Sequence, residues 1–554
     1  MDTPAQPPEP APRGPRGLAT CGLLLATLAT ALPACRTALE HREDADREVY
    51  EIIRGLRDGL AGGEEFSIEP IETPLRERLL AGETLSGPIG LITSLQVASE
   101  NSRDFQNRRE SLYLSALDLT LARWDFSVKE TGTFGSFLSG GANAPTTAGG
   151  DSSLRLTKLF ATGLSVIGDL SFNLVRDVSR GDAWTATSNA GLSITQPLLR
   201  GFGRDIVLEP LTQAERDVVY EARSYDRFRR TFAFDAASRY YRILEQVDVL
   251  ENERQNQSRR AELRVRNEAF AEAGLLDDIQ VDQASQDELS ARNRVIDAQR
   301  SLSSLLDSFK LFLGLPIETE LSLDESDRPN LDTYDALDVE FTEEAVIAVA
   351  LASRLDYLTA LDRVDDVERR VRIAADDLRA ALDLGVDVNV ASEVDRPFRY
   401  DRDSFDTLLS LSLDTPLERV RERNAYRERL IDLDQAIRSA EEAADTIRAE
   451  LRDSLRNLDA ARESYQIQSG AVVLAQRRVE SAQLKLEAGR ADTRDVLDSQ
   501  DDLVAAQNAA TNALTDYILA GLALYVDMEL VRVDETGFRI DTEPLLRRIQ
   551  GELP

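Results

Sequence analysis

The chain has 554 residues, 30% of them charged and only 6% aromatic, with a formal net charge of −34. No internal run approaches the ~20 apolar residues of a membrane-spanning helix, which excludes a polytopic helical membrane protein. The acidic balance lacks the basic footprint that nucleic-acid binding needs; it suits a solvated surface or an acidic lumen that admits cations.

Residues 1–35 read as an export segment. Arg13 and Arg16 precede an apolar run, Gly17 to Ala31, that is too short to span. Leu32-Pro33-Ala34-Cys35 resembles a bacterial lipobox, with Pro33 an unusual occupant. Two outcomes stay open: lipidation at Cys35, or cleavage by the ordinary signal peptidase without lipid. Cys21, the other cysteine, leaves with the signal, so no disulfide forms even in an oxidising compartment. Residues 36–84 form an N-terminal arm with a helix over about Asp44 to Leu60, a Gly62-Gly63 break and an extended stretch through Pro70 and Pro74. His41, the sole histidine, lies in this arm and reads as solvated.

From residue 85 one pattern occurs twice, in 85–314 and 341–530, separated by a linker, 315–340, and followed by a tail, 531–554. Each copy opens on a helix. In the first this covers Ile89 to Leu121, and Ile92 to Asp104 is paralleled by Glu344 to Asp356 in the second. Strands follow, over 124–197 and 382–415. Trp124, Phe126 and Val128 alternate with polar residues, as do Leu192 and Ile194. Leu382, Leu384, Val386, Val388 and Val390 alternate with Asp383, Gly385, Asp387 and Asn389; Leu409, Leu411 and Leu413 alternate with Ser410, Ser412 and Asp414. Such strands have one apolar and one polar face, which suits a β-sandwich or a barrel with lipid outside and water inside. The first copy has two extra segments, Leu154 to Phe160 and Leu164 to Leu174, around a turn at Ala161-Thr162-Gly163. They read as a longer external hairpin.

The strands end at Gln196-Pro197 and at Thr415-Pro416. Proline is unsuited to a central strand but fits a helix's first turn, so Pro197 and Pro416 mark strand-to-helix junctions. Gly201 and Gly203 allow an unusual backbone turn there; Gly201-Phe202-Gly203 is too short to read as a nucleotide loop. Long helices follow. Leu430, Ile437, Ala444, Leu451, Leu458, Tyr465, Val472, Val479 and Leu486 fall seven apart, beside a mostly small second seam, Leu433, Ala440, Ile447, Ser454, Ala461, Gln468, Ala475 and Ala482. Two seams mean coiled-coil contact on two sides. The first return helix has its own seam, Val281, Glu288, Val295, Leu302 and Phe309. Arg204–Ala273 and Leu417–Ala488 each span about 105 Å, the return helices Leu275–Leu313 and Arg490–Leu530 about 60 Å, and the leading helices about 50–60 Å. One leading plus one return helix matches one long helix, so the chain supplies four tube staves.

The helices turn back at 273–279 and 488–496. Gly274 and Gly489 permit the left-handed conformation that ends a helix. Asp277, Asp278, Asp492 and Asp495 are good N-caps for the return helices; repeated by symmetry, some would form carboxylate rings. Catalysis finds no support. No Cys/His metal spacing, P-loop or nucleophile elbow is present, and no cofactor is implied.

In this order, and duplicated, Gln196-Pro197-Leu198-Leu199-Arg200-Gly201, the turn Glu487 to Leu497 and the two helix starts make residues 85–530 resemble the TolC-like outer-membrane efflux proteins. The resemblance implies a mixed α and β fold: an outer-membrane β-barrel, closed by three copies, continued by a long periplasmic α-helical coiled-coil barrel. It implies a homotrimer docked on a periplasmic adaptor protein and an inner-membrane transporter, as the exit duct of efflux or type I secretion. The helical tips would form the periplasmic entrance, and a lipid on Cys35 would fit. The competing class is a cell-envelope coiled-coil scaffold whose strands form a soluble sandwich.

Overall fold

The computed structural model describes residues 36–57, 66–69, 73–85, 87–141, 144–328, 341–415, 417–488, 490–534 and 537–549. Cys35, Pro416 and Gly489 lie outside them, as do the signal segment, Gly62-Gly63 and Pro70.

Helix α1 (Ala38–Arg57) and the short α2 (Leu75–Leu80) form the arm. Two helices then replace the single leading helix expected: α3 (Leu91–Asn101) and α4 (Arg103–Asp125), interrupted at Ser102 in extended backbone, φ −68° and ψ 127°. Helix α4 runs through Trp124, so the alternation of Trp124, Phe126 and Val128 is not a strand; β1 begins at Val128. Four strands follow, β1 (Val128–Gly141), β2 (Ala144–Leu159), β3 (Ser165–Asp177) and β4 (Thr185–Pro197). The chain re-enters helix at α5 (Arg204–Val207), continues as the 64-residue α6 (Glu209–Glu272) and returns as the 35-residue α7 (Asp278–Phe312).

The second half has α8 (Glu343–Ser353) and α9 (Leu355–Asp377), with the interruption now at Arg354, φ −64° and ψ 115°. Then come β5 (Ala381–Glu393), β6 (Arg396–Asp414), the 68-residue α10 (Val420–Glu487) and the 35-residue α11 (Thr493–Asp527). Helices α3 and α8 both have 11 residues, α4 and α9 both 23. The tail forms a small hairpin, β7 (Val531–Asp534) with β8 (Gly537–Ile540), and a last helix, α12 (Glu543–Ile549).

All six long strands make one antiparallel sheet in the order β1-β2-β3-β4-β5-β6. The sheet stands at one end of the helices. The turn at residues 160–164, between β2 and β3, faces the helices, because Val128 at the start of β1 pairs with Lys158. The expected external hairpin is therefore two full strands of the sheet, and its turn lies at the end of the sheet that meets the helices.

The helices form four adjacent staves. Helices α4 and α7 pack along successive stretches of α6, with Leu112 and Ala116 near Val218 and Ala222 and with Phe309 against Tyr240. Helices α9 and α11 each touch both α6 and α10. The order is α4/α7, α6, α9/α11, α10, two continuous staves and two spliced. At 1.5 Å per residue α6 and α10 run about 95–100 Å. Both seams of α10 are used: Ala444, Leu451, Leu458 and Val479 are buried from one, Ala440, Ile447 and Ala482 from the other. Toward the tip, the buried heptad of α7 is Ala284, Ala291 and Ala298, three residues out of phase with the expected Val281 and Val295, which are half-buried; the last member of the expected seam, Phe309, is fully buried in the main core. Small side chains let α7 lie close to α6.

The main core sits midway, around Tyr240, Leu244, Phe309, Leu313, Ile518, Leu522 and Tyr525. The linker joins it: Leu315, Leu321 and Leu323 are buried, and Leu323 bridges Ile89 in parallel. Arm helix α1 buries Val49 and Ile53 against α4 and α6.

Candidate functional site

The sheet has two chemically opposite faces, set by the period of two in each strand. One row across it reads Leu409, Val386, Ile194 and Val166; another reads Phe405, Val390, Ala190, Leu170 and Leu154. This apolar face is bare along β6, while near the β5–β6 turn Val390 and Ser188 are buried and Phe398 stacks on Phe172. Leu409 is 71% exposed, Leu411 66% and Leu413 62%. The opposite face carries Asp406, Asn389, Gly191, Asp169, Arg155 and Thr131 in one row. Ser193 donates to Asp387 at 2.5 Å, and Thr133 meets Ser153 at 2.6 Å. Edges β1 and β6 are each paired on one side only among the described residues.

The junction below the sheet is tied by hydrogen bonds. Pro197 is the last residue of β4, opposite Asp383, and is not in a helix's first turn as expected; Pro210 takes that kind of position in α6. Gly201 and Gly203 have φ of +76° and +112°. The Gly201 N–H donates to Asp376 at the end of α9 (2.6 Å), and the Leu198 N–H donates to the Leu382 carbonyl (2.7 Å). The Gln196 amide donates to the carbonyls of Pro197 (2.7 Å) and Thr162 (3.3 Å).

At the far end, Gly274 has φ +74°, and the Leu275 N–H returns to the Phe270 carbonyl at 2.8 Å, the left-handed ending glycine allows. Asp277 is the N-cap of α7 without a side-chain cap bond, and Asp278 is its first residue. Asp492 caps α11 in a reciprocal box with Asp495, whose carboxylate accepts from the Asp492 N–H at 3.2 Å. All four aspartates are exposed.

A buried polar seam joins the two hairpins, and sequence reasoning missed it. Glu253, Arg260 and Asn267 lie seven apart on α6 and are all buried. The Arg260 guanidinium pairs with Asp501 of α11 and, at 3.6 Å, with Asp287 of α7. Asn267 donates to the Thr493 hydroxyl (3.1 Å), which donates to Gln280 (3.1 Å). Burial pushes the Asp287 carboxyl up, against the opposing pull of Arg260. The heptad spacing is visible in the sequence, but from Glu251 to Glu268 the helix is polar on nearly every face, so nothing along the chain marks these three as the buried ones.

A second network joins α6 to α9. Asp366 accepts from the Tyr220 hydroxyl (2.7 Å), Arg216 (2.9 Å) and Arg369 (2.9 Å). Burial raises its carboxyl, but these donors outweigh it and hold Asp366 below the usual range. Burial and the facing carboxylate push the Tyr220 hydroxyl up to about 12.

His41 is exposed, and no group of three or more potential metal ligands occurs among the described residues. No described helix is long and apolar enough to cross a membrane. The arrangement places a two-faced sheet at one end, a layer of four helical staves below it and exposed carboxylates at the far tips.

No family model and no curated protein matches the chain. Solved structures do. CusC, from a study of folding and transmembrane channel formation, aligns with a TM-score of 0.59 at 13% identity, covering 85% of this chain and 99% of its own. The outer membrane protein VceC from Vibrio cholerae aligns at 0.58 and 15%, covering 79% and 95%. The open-state MtrE outer membrane channel of Neisseria gonorrhoeae aligns at 0.57 and 13%, covering 85% and 97%.

Proposed function

From the fold it shares with the TolC-like outer-membrane factor channels, we propose that this chain is not an enzyme but the outer-membrane duct of a tripartite efflux or type I secretion system. Three copies, each built of two internal repeats, enclose one water-filled bore. The sheet sits in outer-membrane lipid and the helices extend through the periplasm to an adaptor protein and an inner-membrane transporter. The Asp277, Asp278, Asp492 and Asp495 carboxylates ring the periplasmic mouth, and Cys35 carries the anchoring lipid.

One observation carries the reading: the sheet and the helical layer are open on the same two sides. Helix α4, an outer stave, leads into edge strand β1, and edge strand β6 leads into α10, the other outer stave. Unpaired edges cannot persist in lipid, and symmetric copies remove them. A soluble scaffold would cover the apolar face of the sheet with a second layer, and the described residues supply none. The test is purification in detergent followed by planar-bilayer recording. A heat-modifiable trimer that conducts ions is expected; a detergent-free monomer without conductance would refute the duct.

A further inference from the structure

The two halves contribute unequally to the sheet, four strands from the first and two from the second. Had the first half only two, three copies would close twelve strands. We propose that three copies close an eighteen-stranded barrel, β1 of one pairing with β6 of the next, with a bore as wide as the helical tube beneath it. This rests on the trimeric duct proposed above.

The extra strands are wall. Strands β2 and β3 pair along nearly their whole length, Thr147 opposite Asp177 through to Leu159 opposite Ser165. They continue the same two faces. Leu154, Leu156, Val166, Leu170, Phe172 and Leu174 extend the apolar side, while Arg155, Asp169 and Asn173 extend the polar side. A plug or surface flap has no need of an apolar face in register with its neighbours. Their turn is also anchored where wall meets helices. A methyl group on Gly163 would lie 2.8 Å from Pro197, and Gln196 bonds the Thr162 carbonyl at 3.3 Å. The pair therefore occupies an arc of the circumference at the junction.

Circumference favours the wider wall. Strands about 4.8 Å apart, tilted about 40°, each take about 6 Å of the ring. Eighteen give about 110 Å and a backbone diameter of about 36 Å; twelve give about 75 Å and about 24 Å. Twelve staves, four from each copy, at about 9–10 Å between axes need about 110–120 Å. Eighteen strands meet the tube without a constriction, whereas twelve would force one.

Closure is read with cysteine pairs on the polar face: Thr133→Cys in β1 combined in turn with a cysteine replacing Asp406, Leu408, Ser410, Ser412 or Asp414 in β6. Oxidation should link at least one pair into covalent trimers and nothing larger. Bore width is read in planar bilayers from the size cut-off for neutral polyethylene glycols added on the barrel side. Deleting residues 142–184, which joins Gly141 to Thr185, should lower the cut-off radius by about a third. A conducting trimer with no linkage across the panel would overturn edge-to-edge closure. An unchanged cut-off after the deletion would overturn the eighteen-strand bore. Should the shortened chain fail to assemble, the cysteine panel on the full chain decides. A wild-type chain that neither trimerises nor conducts would instead remove the duct reading itself.

Discussion

A methyl group placed on Gly163 would lie 2.8 Å from the carbonyl oxygen of Gly201. The turn between β2 and β3 and the strand-to-helix junction thus share one tight contact, and both glycines have positive φ, +90° and +76°. Only glycine meets both demands at Gly163. Gly163→Ala should cost about 1–3 kcal/mol. Gly168→Ala, in β3 with open space around it, should change little. Thermal unfolding compares the two, and equal melting would contradict the contact.

Asp366 should make stability depend on acid. Its folded-state carboxyl is held low by Tyr220, Arg369 and Gln213 despite burial, so its contribution is present above the unfolded carboxylate range, near pH 4, and is lost as pH falls through the lower folded value. Asp366→Asn should destabilise by about 3 kcal/mol at pH 7. The gap from wild type should close below about pH 4; a gap independent of pH would argue against this assignment.

Arg260 holds α11 to α6 and α7. Arg260→Ala takes the shared cation from Asp501 and Asp287, which are partly solvated and retain Arg294 nearby, and should cost about 1–3 kcal/mol locally. Hydrogen exchange should speed up across Thr493 to Val504 while the main core around Tyr240 stays protected. Arg260→Met fills the space without the charge and should recover part of the loss. Uniform exchange throughout the chain would show that the seam does not separate the tips from the core.

The two faces of β6 should respond oppositely to charge. Leu411→Arg puts a cation on the apolar side and should destabilise by about 2–4 kcal/mol in the bilayer. Ser412→Arg, one residue on, should leave folding intact and shift ion selectivity away from cations. Selectivity that moves with Leu411→Arg instead would reverse the assignment of faces.

At the tip, Asp492→Ala removes the box with Asp495 and should weaken the start of α11 by about 1 kcal/mol. The double change Asp492→Ala with Asp495→Ala should also alter conductance or its block by divalent cations. A channel indistinguishable from wild type in both would leave the aspartates with capping alone.

Much of the architecture was legible because its signals are local and periodic. The heptads of α10, the alternation of β5 and β6, Gly274 at the end of α6 and the aspartates of the tips all follow from spacing along one segment. The misreadings arose where periodicity is ambiguous or contact is distant. Trp124, Phe126 and Val128 alternate, yet the helix that began at Arg103 carries through Trp124 before the strand can start. On the tip half of α7 the small Ala284, Ala291 and Ala298 pack where α6 is close, rather than the larger Val281 and Val295, while Phe309 of the same expected seam is buried.

The sequence by itself determined the succession of leading helix, strands, long helix and return helix and the two-faced chemistry of the strands, since each depends on residues a few positions apart. Tertiary structure alone decided that β2 and β3 belong to the same sheet as the other long strands, which end of the sheet their turn faces, and that Arg260 reaches Asp501. Those facts depend on register between segments separated by tens to hundreds of residues, where a one-residue slip turns every side chain to the opposite face. No pattern along the chain encodes that choice; packing does.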